Sequence, residues 1–156
     1  MLSIHKVWAS TFGIGFIKGG GTVAALFCCI CLYGCWQFGI FSSIGFIVVT
    51  FIIILTGIWS GNVVEPFWGK DSSKVVVDEV AGMCISLLFI KISLSSILIG
   101  LVLFRFFDIA KPLGVRRMEI LPGGWGVMAD DVLAGIYANI SLQVLIWVTP
   151  AYFQVF

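Results

Sequence analysis

The fold depends on how the chain runs through VAGMCISLLFIKISLSSILIGLVL, residues 80–103. These 24 mostly apolar residues are enough for one helix that crosses a lipid bilayer. A single crossing would place Lys91 at mid-membrane, where a charge costs at least ~2.5–3.5 kcal/mol, and would put Asp78 and Asp108 on opposite sides. A turn near Lys91 and Ser93 removes both difficulties. We therefore predict a tight helical hairpin that is partly sunk in the bilayer.

Composition places the whole chain in a membrane. Of its 156 residues, 60% are hydrophobic and 11% are charged, whereas soluble domains carry about 25% charged residues. We predict an all-α fold, a small polytopic membrane helical bundle that forms a single domain over residues 1–156. Further apolar segments predict helices at 22–41, 44–61 and 132–148, with a polar loop at 62–77. The net charge of +1 gives no argument for a nucleic-acid partner.

The distribution of charge predicts which way the polar ends face. With the hairpin, every charged residue except Lys91 lies on one side of the membrane, together with His5. Lysine and arginine are enriched in cytoplasmic loops. We therefore expect a multi-pass protein whose polar helix ends and loops form a site at the cytoplasmic membrane surface.

Acidic residues stand at three predicted helix ends on that side, at Asp78, Glu79, Asp108, Asp130 and Asp131. Carboxylates brought this close repel one another unless a divalent cation offsets them, and an all-oxygen site suits Mg²⁺ better than Zn²⁺. The alternative is that the acids cap helices or pair with cations. Asp130 and Asp131 are expected to start the last helix, because negative charge suits a helix N-terminus.

Two cations flank one of these acids along a predicted helix. Arg105, Asp108 and Lys111 are spaced at i, i+3 and i+6, which places them within an arc of about 120°. This arrangement fits a phosphate held against a metal, with Arg105 clamping oxygens and Lys111 adding a point charge. The alternative is an intrahelical pair between Arg105 and Asp108.

Two glycine-rich turns offer backbone that a ligand can approach closely. Gly123, Gly124 and Gly126 are expected to form a loop before the last helix, whose free N–H groups favour an anion. Residues 19–21 form a second such turn. The hydroxyl of Thr22, directly after it, is expected either to cap the following helix or to touch phosphate.

Several phosphate-transfer mechanisms are excluded by what the sequence lacks. His5 is the only histidine, so a phosphohistidine route with a second histidine as acid is absent. The Cys-x5-Arg, Asp-x-Asp-x-Thr/Val and Walker patterns are also missing. Metal-activated water remains, with carboxylates holding the metal and one of them acting as base.

Three blocks of sequence carry most of these residues: VDEVAGM at 77–83, FRFFDIAKP at 104–112 and GGWGVMADDVLAG at 123–135, with a weaker fourth block, GGTVAA, at 20–25. In their order and spacing they resemble the phosphatidylglycerophosphatase A family. The resemblance implies a bacterial inner-membrane enzyme that uses Mg²⁺ to convert phosphatidylglycerophosphate to phosphatidylglycerol and phosphate. The usual serine of the fourth block is Ala25 here, whereas the acids and cations of the other blocks are intact.

The combined hypothesis is a lipid phosphomonoesterase whose expected partner is a phospholipid substrate in the membrane, with no nucleic-acid partner. The metal ligands would be Asp78, Glu79, Asp130 and Asp131. The catalytic set would be Asp78, Glu79, Asp108 and Asp131, and substrate would be bound by Arg105, Lys111, Thr22 and Gly124. Two alternatives stay open: a small ion-coupled membrane transporter, which should carry its acids mid-helix, and a different Mg²⁺-dependent lipid phosphotransferase. The sequence does not indicate an oligomeric state.

Overall fold

A computed structural model describes residues 2–40 and 42–149, and these residues form helices and no β-strand. In chain order the α-helices are α1 (Leu2–Ala9), α2 (Gly20–Gln37), α3 (Ser43–Trp68), α4 (Val77–Ser86), α5 (Leu94–Ala110), α6 (Val115–Met118) and α7 (Gly124–Val148), with a 3₁₀ turn at Ile14–Phe16. Three of them, α2, α3 and α7, are long and apolar enough to cross a membrane. The predicted all-α membrane bundle is confirmed. Phe41, the predicted end of the first apolar segment, lies outside the described residues.

The predicted hairpin is present between α4 and α5. Helix α4 ends after ten residues, and α5 begins behind a reciprocal cap in which the Ser93 hydroxyl accepts the Ser96 N–H at 3.1 Å and Ser96 Oγ accepts the Ser93 N–H at 2.8 Å. The two helices are antiparallel, because Gly82 contacts Phe104 while Gly100 contacts Leu87. Lys91 lies exposed in the turn that joins them.

Helix α7 binds the C-terminal end of α4, where the hairpin turn begins. The Asn139 side chain donates from Nδ2 to the carbonyl oxygens of Ser86 at 3.1 Å and Leu88 at 2.8 Å. The last carbonyls of a helix have no intrahelical partner, so a side chain from a neighbouring helix satisfies them here. This allows α4 to stop inside the bundle.

The polar ends of the helices meet at one end of the bundle. Helices α2, α4 and α7 all begin there, since Gly21 of α2 contacts Glu79 of α4, and Gly82 of α4 contacts the carbonyl of Asp131 in α7. Helices α3 and α5 end there. Next to this polar end the helices enclose an apolar core whose fully buried members include Met83, Leu87, Phe104 and Leu142.

Two predicted boundaries are wrong, and both lie where α3 and α7 meet. Helix α3 continues to Trp68 rather than ending at Gly61, and α7 begins at Gly124, so that Asp130 and Asp131 lie about two turns inside it. Gly61 and Gly124 touch backbone to backbone, and the Gly124 N–H donates to Asn62 Oδ1 at 2.8 Å. This contact between α3 and α7 supplies the cap that the two aspartates were expected to provide.

Candidate active site

Three carboxylates from two helices converge at the polar end of the bundle. Asp78 and Glu79 lie in the first turn of α4, and Asp131 lies on the face of α7 that packs against it. One oxygen from each of the three lies within 4.8 Å of the others. Asp78 and Asp131 are buried. The sequence placed these acids at separate helix ends, and the parallel packing of α4 and α7 brings them together.

The electrostatics of this cluster favour a bound cation. Burial, followed by the charge of Glu79, raises the pKa of Asp78 well above its usual value. Burial also raises the pKa of Glu79, and its Oε2 is buried without a hydrogen-bond partner among the described residues. Three converging oxygen donors, one of them lacking a partner, fit a hard divalent cation such as Mg²⁺. The cluster could therefore hold a metal ion.

Arg105 and Asp108 lie beside this cluster near the end of α5. They form the intrahelical pair that the sequence offered as an alternative, with Arg105 Nη1 2.6 Å from Asp108 Oδ2. The carboxylate of Asp108 also neighbours that of Asp131. Arg105 Nε and Nη1 are both buried and form no hydrogen bond in the described part of the chain, so the 2.6 Å contact between Nη1 and Asp108 is an ion pair without hydrogen-bond geometry. The charge of Asp108 holds the guanidinium in place, and its Nε is free to meet an anion.

Lys111 and Asp130 lie next to the cluster and bind each other. Lys111 ends α5 in a left-handed conformation, and its Nζ is 2.6 Å from both Asp130 Oδ2 and Glu119 Oε1. Burial alone would lower the pKa of Lys111, but its hydrogen bonds with Asp130 and Glu119 outweigh that effect and raise it. The carboxylate of Asp130 also accepts the N–H of Asp131 at 3.1 Å. Because α5 ends at Ala110 and Lys111 is left-handed, Lys111 leaves the helical arc of Arg105. Asp130 is not among the three converging carboxylates.

A cavity of about 580 Å³ opens beside the acidic cluster. Its wall consists of residues 15–22 together with Ser73, Lys74, Glu79 and Arg105. Glu79 and Arg105 connect the cavity to the cluster. Thr22 lies exposed on this wall and does not cap α2, whose N-cap residue is Gly19.

Two lysines of this wall were missed by the sequence analysis. Lys18 directly precedes the glycine-rich turn, and Lys74 lies four residues before Asp78. Both are exposed, and neither forms an ion pair within residues 2–40 and 42–149. Their positions in the sequence, next to the glycine-rich turn and close to the acidic pair, could have identified them as candidate site residues.

The glycines of the two glycine-rich segments mainly allow their helices to pack closely against neighbouring parts of the protein. A Cβ built on Gly21 would overlap Oε1 of Glu79, so this glycine allows α2 to approach the acidic cluster. Gly124 and Gly126 are helical rather than in a loop, which corrects the prediction. A Cβ on Gly124 would overlap the carbonyl of Ile58. Because its N–H is already donated to Asn62, a substrate contact of Gly124 stays a prediction that the geometry does not favour.

Comparisons with known proteins agree with this chemistry. A family model described as phosphatidylglycerophosphatase A matches residues 7–146. A protein of Bacteroides thetaiotaomicron named as a candidate phosphatidylinositol-3-phosphatase is 41% identical over 143 residues, which cover 88% of this chain and 90% of the relative. A phosphatidylglycerophosphatase A of Haemophilus influenzae is 41% identical over 98 residues, covering 61% of this chain and 60% of its own length.

A third relative, the phosphatidylglycerophosphatase A of Escherichia coli, is 35% identical over 68 residues, covering 42% of this chain and 40% of its own length. No solved structure matches the chain at a significant level.

Proposed function

The chain belongs to the phosphatidylglycerophosphatase A family, and on that premise we propose that it hydrolyses phosphatidylglycerophosphate to phosphatidylglycerol and phosphate with Mg²⁺. The family consists of phosphoric monoester hydrolases. The observation that carries the proposal is the convergence of Asp78, Glu79 and Asp131 next to a cavity lined by cations. Neither the transporter nor the phosphotransferase alternative has a comparable basis.

The metal would be held by Asp78, Glu79 and Asp131, whose oxygens are the ligands that Mg²⁺ prefers. When bound, such an ion neutralises charge on a transferring phosphoryl group and lowers the pKa of a bound water. Arg105 binds phosphoryl oxygens, which its unpartnered buried Nε supports. Asp108 keeps the guanidinium oriented through their 2.6 Å ion pair.

The reaction breaks the bond between phosphorus and the headgroup oxygen. A water oxygen attacks phosphorus in line, one carboxylate of the cluster accepts its proton, and the same carboxyl group returns this proton to the departing headgroup oxygen, which leaves as a hydroxyl. Lys111 and Asp130 act outside these steps. Their mutual pairing supports a positioning role for both.

The membrane supplies the substrate. Three membrane-length helices leave apolar surface for acyl chains, while the cavity takes the polar headgroup at the same end as the acids. We propose that the protein lies in the bacterial inner membrane with this end toward the cytoplasm, which the lysine and arginine distribution supports.

A second candidate substrate is phosphatidylinositol 3-phosphate. The relative named for this activity aligns over 88% of the chain. Both lipids carry a phosphomonoester on a polyol headgroup, so the same chemistry would serve either of them.

The experiment is phosphate release by the purified protein in lipid nanodiscs. The substrates are phosphatidylglycerophosphate, phosphatidylinositol 3-phosphate and phosphatidic acid, each with Mg²⁺ or with a chelator. We expect the first lipid to be the best substrate and chelation to abolish release. Phosphate release that is unaffected by chelation would refute the proposed metal dependence. The absence of release from any of the lipids would refute the proposed phosphatase function.

Variants of the cluster complete this experiment. Asp78→Asn and Asp131→Asn should lose nearly all phosphate release, because a metal ligand is removed. Asp71→Asn is the matched control, since Asp71 is an exposed acid outside the cluster. Full activity in both cluster variants would overturn the assignment.

A further inference from the structure

We propose that Lys18 and Lys74 form a second anion-binding subsite, which binds the phosphodiester group of the substrate while its phosphomonoester lies at the acidic cluster. This inference rests on the proposed function and extends it. The subsite would select lipids in which a polyol separates the two phosphates.

The positive charge of Lys18 and Lys74 in the cavity lining supports this inference. Arg105 is paired with Asp108, and Glu79 belongs to the acidic cluster. Lys18 and Lys74, by contrast, have no carboxylate partner among the described residues. The lining of the cavity therefore includes two lysines without a carboxylate partner in addition to Arg105, and their charges fit an anion other than the one being hydrolysed.

The size and the remaining polar groups of the cavity fit the same ligand. A volume of about 580 Å³ lies within the range of about 300–1,000 Å³ usual for ligand sites and is far more than one phosphate occupies. The hydroxyls of Thr22 and Ser73 line it. The first turn of α2, at Gly21 and Thr22, presents backbone N–H groups that have no intrahelical partner. A headgroup with a hydroxyl between two phosphates presents acceptor oxygens for all of these donors.

The wall that carries Lys74 is held in place by other parts of the chain. Gly15 packs directly against the Lys74 carbonyl, where a Cβ would not fit. The Lys74 ammonium lies 5.9 Å from the centre of the Trp68 ring, and Trp68 in turn packs edge to face on Phe16 at 5.7 Å. Such contacts reduce the entropy that is lost when an exposed lysine binds a ligand.

The test compares two short-chain lipids that differ in the second phosphate, dihexanoyl phosphatidylglycerophosphate and dihexanoyl phosphatidic acid. Lys18→Gln and Lys74→Gln are each expected to raise KM for the first lipid about tenfold, as loss of one charge-assisted hydrogen bond does. The kcat should change little, and KM for phosphatidic acid should stay the same. Lys70→Gln is the matched control, because Lys70 is an exposed lysine of the same loop outside the cavity.

A binding measurement keeps this test independent of catalysis. In the presence of a chelator, microscale thermophoresis should show weaker binding of dihexanoyl phosphatidylglycerophosphate to the Lys18→Gln and Lys74→Gln variants and unchanged binding of phosphatidic acid. Equal losses for the two lipids, or an equal loss in Lys70→Gln, would mean general surface attraction and would overturn the subsite. Normal selective binding without phosphate release would refute the proposed function and leave the subsite standing.

Discussion

Lys111 Nζ lies 2.6 Å from Asp130 Oδ2, so the residue that ends α5 is tied to the interior of α7. The sequence suggested phosphate binding for Lys111 and metal binding for Asp130. Because each is the other's partner, we expect Lys111→Met to leave the Asp130 carboxylate buried without a cation. The loss should be about 2–4 kcal/mol in the free energy of unfolding, measured by circular dichroism in detergent.

Glu119→Gln is the control for this prediction. Glu119 also lies 2.6 Å from Lys111, but its side chain is 34% exposed, and exposed pairs contribute only about 0–1 kcal/mol. A Lys111→Met protein that unfolds like the wild type but has a strongly raised KM would contradict the positioning role. That result would support the original prediction that Lys111 binds the substrate phosphate.

The same ion pairs predict how stability depends on pH. The hydrogen bond with Lys111 lowers the pKa of Glu119, so the stability it contributes is present above the unfolded pKa of about 4.3 and is lost as pH falls through the lowered folded value. The pKa of Lys111 is raised, so its contribution is present below about 10.4 and is lost as pH rises through the raised value.

We therefore expect the stability difference between wild type and Glu119→Gln to stay constant between about pH 6 and 9 and to shrink below pH ~4. Thermal unfolding over a pH series measures this difference. A difference that grows on acidification would have the wrong sign for the Glu119–Lys111 pair.

Gly21 lies directly against a carboxylate of the acidic cluster. Gly21→Ala would push Glu79 away from its present position, since the new Cβ would overlap Oε1. We expect a loss of about 10–100-fold in Mg²⁺ affinity, as for other changes to the groups that orient a metal ligand. Calorimetric titration measures this affinity. Gly34→Ala is the matched control in the same helix, where a Cβ meets nothing within 4 Å. Equal affinities in the two variants would show that metal binding does not require Glu79 in the position it has against Gly21.

The parts of the fold that the sequence predicted depend on local energetics. A single crossing would have left Lys91 at mid-membrane and separated Asp78 from Asp108, and these two difficulties predicted the hairpin. The parts that it did not predict depend on long-range contacts. The start of α7 is set by Asn62 and Gly61 of α3, and the pairing of Lys111 with Asp130 needs α5 and α7 already packed.

Asn139 makes the clearest of these long-range contacts. Its Nδ2 donates to the carbonyls of Ser86 and Leu88, where α4 stops inside the bundle. Asn139→Leu should leave both acceptors unsatisfied, which costs about 1–3 kcal/mol for each buried group, and should lower the unfolding temperature. Gln143→Leu is the control, because Gln143 donates only to Asn139 Oδ1, at 2.6 Å, and its loss leaves the carbonyls paired. If the two variants unfold at the same temperature, the end of α4 is stabilised by packing rather than by Asn139.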